Sequence, residues 1–439
     1  MAVQPGQQAA KPVLAQGARH QYKELTGTYV SSVNQDKFGM KSVDNPYNPG
    51  SGKPPPELAG RGAVLTLARS SLERAKAGKP SRDIILLGLR GVGKTVLLVE
   101  FEKMAEAVSC QATNVIEADY DRPLPQLLVP QLFRILIRLD RVKRAKQQAE
   151  NAWNTLRAFA SAFKVKIGDL EVQFSKSPTT GDLAMDLSDL FMEIGQAARA
   201  AETAVVILID EVQCLSSPDL SALIMALHKV AQRQLPIVFI GAGLPQLPKL
   251  AGEAKSYAER MFHNERIDRL DEASATAAIV EPAKATAVAF TEDAVALILR
   301  ETKGYPYYLQ EWGKHAWDVA PSSPITANDV GEATKLAIAT LDNGIFASRL
   351  QRLTDRQLDY ARAMADLSLP AGSTDVAAKL GMTPEQTAQM RDELIKKGIA
   401  YSPSADLSTS LFHSSMPACA ATWPSRKSHQ HTRFRPPSA

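Results

Sequence analysis

The sequence predicts an α/β fold: a doubly wound parallel sheet of the phosphate-loop type, joined to an α-helical lid and a C-terminal winged-helix domain. Three observations carry the sheet. The apolar run Ile84-Ile85-Leu86-Leu87 leads into Gly88-Leu89-Arg90-Gly91-Val92-Gly93-Lys94-Thr95, and helix-forming residues follow from Val96 to Glu106. Val205-Val206-Ile207-Leu208-Ile209 is continuously β-branched and aliphatic, as in a strand covered on both faces, and it closes on Asp210-Glu211. Pro236-Ile237-Val238-Phe239-Ile240 is a further such run, and helical stretches separate the three. A sheet built this way takes its ligand at the carboxyl ends of its strands, where Gly88–Thr95, Asp210, Glu211 and Gly241 fall.

The loop pattern G-x-x-x-x-G-K-T has its own chemistry. Its glycines let the backbone curl so that successive N–H groups converge on an anion, and the following helix adds its positive end. Lys94 is expected to reach the β- and γ-phosphates of a nucleotide, and the Thr95 hydroxyl to sit on Mg²⁺. Asp210 is placed to hold the same metal, and Glu211 to orient and deprotonate an attacking water.

At 439 residues the chain is long enough for about two or three domains. No apolar run reaches the ~18 residues of a membrane span, and the N-terminus lacks a basic-then-apolar signal pattern, so a cytoplasmic protein with no membrane partner is expected. Cys110, Cys214 and Cys419 have neither metal-ligand spacing nor a disulfide framework, as suits a reducing compartment. The net charge of +4 is uneven: residues 1–56 and 406–439 each carry +3, leaving −2 on the body between them. Global charge therefore gives no argument for nucleic acid, and any basic patch must be local.

In chain order, residues 1–56 are polar and rich in proline and glycine, a flexible arm closing in Asn45-Pro46-Tyr47-Asn48-Pro49-Gly50. Residues 57–270 are the α/β nucleotide-binding domain. Within it a helix is expected from Ala63 to Ala77, a second strand at Asn114–Ala118, and two helical pieces between Pro123 and Phe163. Arg134, Arg138, Arg141, Lys143, Arg144 and Lys146 make that region basic, either a solvated face or a stripe facing DNA or a partner. Alternation from Lys164 to Phe174 predicts a hairpin. Helices follow at Asp182–Ala201, from Ser217-Pro218-Asp219, and at Leu247–Met261, with a short strand at Glu265–Ile267.

Residues 271–345 contain no strand pattern and predict a lid of helices at 272–283, 291–302, 305–320 and 326–341. Tyr305, Tyr307, Tyr308, Trp312 and Trp317 are core residues of this unit, or in part a surface for stacking on a base. Over 346–405, helices at Asp355–Leu367, Thr374–Leu380 and Thr383–Lys397 precede a strand at Ile399–Tyr401, the order of a winged helix-turn-helix. Its eight basic and seven acidic residues leave double-stranded DNA and protein docking equally open. Residues 406–439 lack alternating β-formers and are expected to be a disordered tail, through a change of reading frame within the wing; His413, Cys419, His429 and His431 show no ligand spacing.

Taken together, Gly88–Thr95, Ile207-Leu208-Ile209-Asp210-Glu211, the helical lid and the winged helix resemble AAA+ ATPases of the archaeal ATPase and origin-recognition-like group over about residues 54–402. Glu57-Leu58-Ala59-Gly60-Arg61 is similar to that group's segment beside the adenine, which implies a nucleotide contact for Arg61. Two departures stand out. Where that group ends a strand in a polar sensor residue, this chain has Gly241-Ala242-Gly243; where it carries a lid arginine, this chain has Tyr307. Gly304-Tyr305-Pro306 instead resembles the G-x-P motif of signal-transducing STAND-type ATPases, in which the proline touches the nucleotide, and so implicates Pro306. Arg260 or Arg266 matches an arginine finger by location, or else serves a surface ion pair. The resemblance implies a slow ATP- and Mg²⁺-dependent hydrolase, a switch read by DNA, a protein partner or further copies of the chain. The alternative from another class is a non-hydrolysing, ATP-bound regulatory or DNA-binding adaptor. No Asn-Lys-x-Asp guanine reader is present, so ATP is expected over GTP.

Overall fold

The structure is a computed structural model that describes residues 40–50, 52–166, 179–346, 350–367, 371–404 and 407–410. Among these residues, six strands form one parallel sheet: β1 (Asp83–Leu87), β2 (Gln111–Ala112), β3 (Ile116–Glu117), β4 (Val205–Asp210), β5 (Ile237–Gly243) and β6 (Phe262–Arg266). Across the sheet the order is β2-β4-β5-β1-β6, with β3 also paired to β4. The register sets Leu87 opposite Gly243 and Ile209 opposite Gly241, so β1, β4 and β5 end side by side.

The period of two along each strand sorts side chains into two cores. Ile85, Leu87, Ile207, Ile209 and Phe239 face a cluster built with the helices Leu124–Asp140, Lys146–Ala162, Leu183–Ala200 and Ser217–Gln232. Ile84, Leu86, Val206, Leu208 and Ile240 face the helices Gly62–Lys76 and Lys94–Ala107. Both faces are covered, which is why the central strands are apolar throughout rather than alternating. Side-chain caps fix the helix starts: Asp182 accepts from Met185 N (2.8 Å), and Ser216 from Asp219 N (3.2 Å).

Several expectations need adjustment. The strand foreseen at 114–118 is only the two-residue β3, preceded by the unforeseen β2, and the helix foreseen at 247–261 is broken into Leu247–Ala254 and Ala258–Met261. The hairpin foreseen at 164–174 falls mostly outside the described residues. The basic stripe is partly spent on structure: Arg138 donates to Ala112 O (2.7 Å), and Arg144 to Ala201 O (2.9 Å) while pairing with Glu202.

The lid comprises helices Glu272–Ala285, Glu292–Thr302, Pro306–Val319 and Ala327–Leu341. Trp312 and Trp317 are buried at its centre, with their indole N–H groups donated to Thr334 Oγ1 (2.9 Å) and Lys41 O (3.2 Å). They are core residues, as their burial with satisfied donors requires. The end of the supposed flexible arm is anchored here. Tyr47 is buried against Gly313 and its hydroxyl donates to Ile279 O, while Asn45 donates to Lys314 O (3.0 Å) and Asp318 (2.9 Å). A single buried aromatic amid turn-forming residues has no period, so sequence pattern could not reveal it.

The C-terminal unit packs helices Asp355–Ala365, Ser373–Leu380 and Pro384–Lys396 with an antiparallel sheet of β7 (Ala371–Gly372), β9 (Leu407–Ser410) and β8 (Ala400–Ser404), in that order. Thr383 and Gln386 form a capping box at the start of the third helix. β9 lies inside the stretch expected to be a disordered tail, which corrects that expectation for 407–410. Four residues this polar give little strand signal; pairing to β8 on one side and β7 on the other satisfies their backbone. Leu353, Tyr360, Met364, Leu394 and Ile399 join the same apolar cluster as the lid's Trp312 and Leu309. No helix among the described residues is long and apolar enough to cross a membrane.

One half-buried residue ties the start of β1 to β5: the Asp83 carboxyl accepts from Phe239 N (2.8 Å). Burial pushes this carboxyl up to about 7, opposed only by that hydrogen bond. For an acid whose folded value is raised, stability is full below the ordinary carboxylate range, falls as pH rises towards 7, and stays low above it. Asp83→Asn, which keeps the acceptor and removes the charge, should flatten the dependence of unfolding free energy on pH between 5 and 8. It should gain a few kcal/mol at pH 8, because each tenfold change in proton affinity on folding is worth about 1.4 kcal/mol. Parallel pH curves for the two proteins in urea denaturation would show that Asp83 does not titrate with folding.

Candidate nucleotide site

The loop after β1 is shaped by contacts that only glycine permits. Gly88 N donates to Gly243 O (3.1 Å), and a side chain at Gly88 would run into Ile267 O. Gly93 has φ 96°, a left-handed conformation at the cap of the helix Lys94–Ala107. That helix aims its positive end into the loop. Lys94 is 6% exposed and donates to Gly88 O and Leu89 O, each at 2.9 Å, so its ammonium lies within the loop itself. Burial pushes it below the usual lysine range, partly offset by Glu211 and Asp210.

The end of β4 meets this loop. Thr95 Oγ1 donates to Asp210 Oδ2 at 2.5 Å, and Glu211 N donates to Asp210 Oδ1 at 2.8 Å. Asp210 is 5% exposed, and burial raises its carboxyl above the ordinary range against the pull of the Thr95 hydroxyl. Glu211 has φ 52°, an uncommon left-handed conformation for a residue with a side chain. Its Oε2 lies 3.7 Å from Arg90 Nη2 and accepts from Gln213 Nε2. Thr95 and Asp210 offer only oxygen, as a hard divalent cation requires, and among the described residues Asp210 has no cationic partner in hydrogen-bond contact to compete for that role. The residues present fit Mg²⁺.

A cavity of about 500 Å³ opens over these groups. Of the residues expected from sequence, Arg61, Arg90, Gly91, Val92, Gly93, Lys94, Thr95, Asp210, Glu211 and Pro306 line it. Gly88 and Leu89 lie behind it and hold Lys94 through their carbonyls. Arg61 braces the loop, donating to Val92 O (3.0 Å) and Asp268 O (2.7 Å). Arg260 and Arg266 are exposed and do not line the cavity. Tyr305, Tyr307 and Tyr308, read as core or in part as a stacking surface, also line it, whereas Trp312 and Trp317 do not; sequence reasoning missed Asn48 and Lys53 from the N-terminal segment, and Gln310 and Leu341 from the lid. The only available signal was the pair of Asn-Pro steps flanking Tyr47.

Two outer units touch the loop directly. Tyr307 N, in the first turn of the helix Pro306–Val319, donates to Gly91 O (3.2 Å). Gly304 (φ 74°) closes the approach: its carbonyl accepts from Leu270 N (2.8 Å), and a side chain there would strike Leu270 O. From the C-terminal unit, the turn after the helix Pro384–Lys396 reaches the same place. Lys396 O accepts from Tyr120 Oη (2.8 Å), and a Cβ on Gly398 would lie 2.8 Å from Arg90 Nε.

This fold and this constellation define a phosphate-loop nucleotide-binding domain. Residues 57–240 match the family model of the AAA ATPase domain. Residues 343–408 match a domain of unknown function (DUF8462). A comparison with curated proteins finds no match. Among solved structures, the chain is similar to a Walker-type ATPase of Pyrococcus abyssi, at 16% identity over 80% of this chain and 93% of that one, with a TM-score of 0.50. It is also similar to the ORC2 protein of Aeropyrum pernix, solved as ADPNP–ADP complexes, at 16% identity over 87% and 96% of the two chains, with a TM-score of 0.52. The chain thus shares the fold of these two proteins, the phosphate-loop fold that the sequence implied.

The buried Asp210 carboxylate has opposite effects on the empty and the loaded site. Its folded value is raised, so at neutral pH its charge lowers the stability of the empty fold, a cost absent below the ordinary carboxylate range. Asp210→Asn should therefore raise the melting temperature of the nucleotide-free protein at pH 7.5. The same variant should lose the further rise that ATP with Mg²⁺ gives the wild type over ATP with EDTA. A variant that melts lower than wild type when empty would contradict this account of Asp210.

Proposed function

We propose that the chain is an ATP·Mg²⁺ hydrolase acting as a slow nucleotide-dependent switch, whose lid and C-terminal unit move with the state of the bound nucleotide. The observation that carries this reading is the convergence of two outer units on one loop: Gly88–Thr95, beside Asp210 and Glu211, is met by the lid at Tyr307 and, through Arg90, by the turn at Gly398.

On this reading the loop N–H groups and Lys94 take the phosphates, and Lys94 exchanges its contacts with Gly88 O and Leu89 O for phosphate oxygens. Thr95 and Asp210 would hold Mg²⁺, which when bound neutralises phosphate charge. Glu211 accepts a proton from the water that attacks the γ-phosphorus; the bond from that phosphorus to the bridging oxygen breaks, giving ADP and phosphate. Arg61 and Pro306 line the remainder of the nucleotide pocket. Because Tyr307 N is bonded to Gly91 O, a phosphate that reshapes the loop displaces the lid, and the core that lid and C-terminal unit share carries the displacement onward. The C-terminal unit, read as a winged helix over 346–405, presents Gln386, Gln389 and Lys396 beside Glu385 and Asp392 to double-stranded DNA or a protein partner.

The rival reading, a non-hydrolysing ATP-bound adaptor, rests on one observation. Glu211 is engaged by Arg90 and Gln213, so the carboxylate needed for turnover is held by the protein.

Two variants separate the readings. Lys94→Ala should abolish ATP binding by calorimetry. Glu211→Gln should bind ATP like the wild type while phosphate release falls at least ~10²-fold; normal release in that variant would refute the role of Glu211, and no release from the wild type, with ATP retained, selects the adaptor. Duplex DNA should raise wild-type release in a salt-dependent manner, and deletion of residues 346–439 should abolish the rise. Release indifferent to DNA in both proteins points to a protein partner.

A further inference from the structure

Gln213 occupies a place that no part of the phosphate loop or acidic strand end explains. It sits in the short turn Val212–Cys214 after Glu211 and is 7% exposed. A buried primary amide must satisfy both ends of its side chain. Its Oε1 accepts from Leu244 N (3.0 Å), just beyond β5. A backbone N–H can only donate, so this contact fixes which end of the amide is oxygen, and Nε2 is turned to donate to Glu211 Oε2.

The neighbouring strand end is built to admit it. β5 closes in Gly241-Ala242-Gly243, and a Cβ on Gly243 would lie 2.7 Å from Gln213 Oε1. Any side chain at 243 would expel the amide. Gly243 O in turn accepts from Gly88 N, so Glu211, Gln213, the end of β5 and the first glycine of the phosphate loop form one connected path. Both contacts to the Glu211 carboxylate, from Gln213 and from Arg90, fall on Oε2, which leaves Oε1 as the oxygen able to accept a proton.

We propose that Gln213 is the positioning residue for Glu211: its amide holds the carboxylate by Oε2 and presents Oε1 to the water. The inference rests on the reading of Glu211 as the proton acceptor. A carboxylate without that amide is free to leave the orientation in which it meets the water, which costs turnover rather than nucleotide affinity.

The test uses the full-length protein with Gln213→Leu, which loses both contacts, and Gln213→Glu, which keeps an acceptor for Leu244 N and sets a second carboxylate beside Glu211. Both should bind ATP within about twofold of the wild type and lose ~10- to 100-fold in kcat. In the Glu211→Gln background, Gln213→Leu should cost nothing further in single-turnover rate, because the group it positions is already gone. Unchanged kcat in Gln213→Leu would overturn the inference, as would a further loss in the double variant or ATP affinity falling in step with kcat. Normal turnover in Glu211→Gln would refute the Glu211 reading instead, whatever Gln213→Leu does to kcat.

Discussion

Parallel strands deliver their carboxyl ends to one side of a sheet, and the register of β1, β4 and β5 turns that general rule into a site. With Leu87 level with Gly243 and Ile209 level with Gly241, the loop after β1 and the acids after β4 are brought to hydrogen-bond distance. The contact from Thr95 to Asp210 is the result. A one-residue slip of β4 would turn its side chains to the opposite core and carry Asp210 away from Thr95. Two dry cores, one on each face, make such a slip costly. The precision of the site is therefore a consequence of packing several ångströms behind it.

The charged groups gathered at that edge are poorly hydrated, and each is held by something small. Lys94 rests on two carbonyls of its own loop, Asp210 on a hydroxyl and an N–H, and Glu211 on a guanidinium and an amide. These are groups that a phosphate and a cation can replace at little geometric cost, which suits a site that must exist both empty and filled. The lid is attached through a backbone contact at Gly91, which responds to loop geometry rather than to the identity of a side chain, and the Lys396–Gly398 turn meets the side chains of Tyr120 and Arg90.

The central strands and most helices were legible because each carries a sustained period. The four lid helices and the Thr383 capping box fall within a few residues of expectation for the same reason. In the site, the residues inside contiguous motifs were legible: the loop and Asp210-Glu211 declare themselves by spacing. What escaped lacks period or contiguity. Tyr47 is one buried ring in a turn-rich segment, β9 is a leucine and three hydroxyl residues paired to a neighbour on each side, and the lid's Gln310 and Leu341 reach the cavity only through a tertiary approach made possible by Gly304. Gln213 was hidden for a further reason. Its partner is the absence of a side chain at Gly243, and an absence on one strand gives no hint of what fills it from another. The glycines at the end of β5 looked like a missing polar residue; in the fold they are the space that a glutamine from β4's turn fills.

The central claim is that the phosphate loop and the C-terminal unit respond to nucleotide as one system. Hydrogen–deuterium exchange tests it directly. In the Glu211→Gln protein, exchange is followed in peptides covering the loop Gly88–Thr95, the segment around Tyr120, and the turn Lys396–Gly398. Three states are compared: empty, with ADP, and with ATP, each with Mg²⁺. The account predicts that protection at Tyr120 and at Lys396–Gly398 changes between ADP and ATP whenever protection of the loop does. A loop that gains protection with both nucleotides while the turn at Lys396–Gly398 exchanges identically in all three states would contradict it.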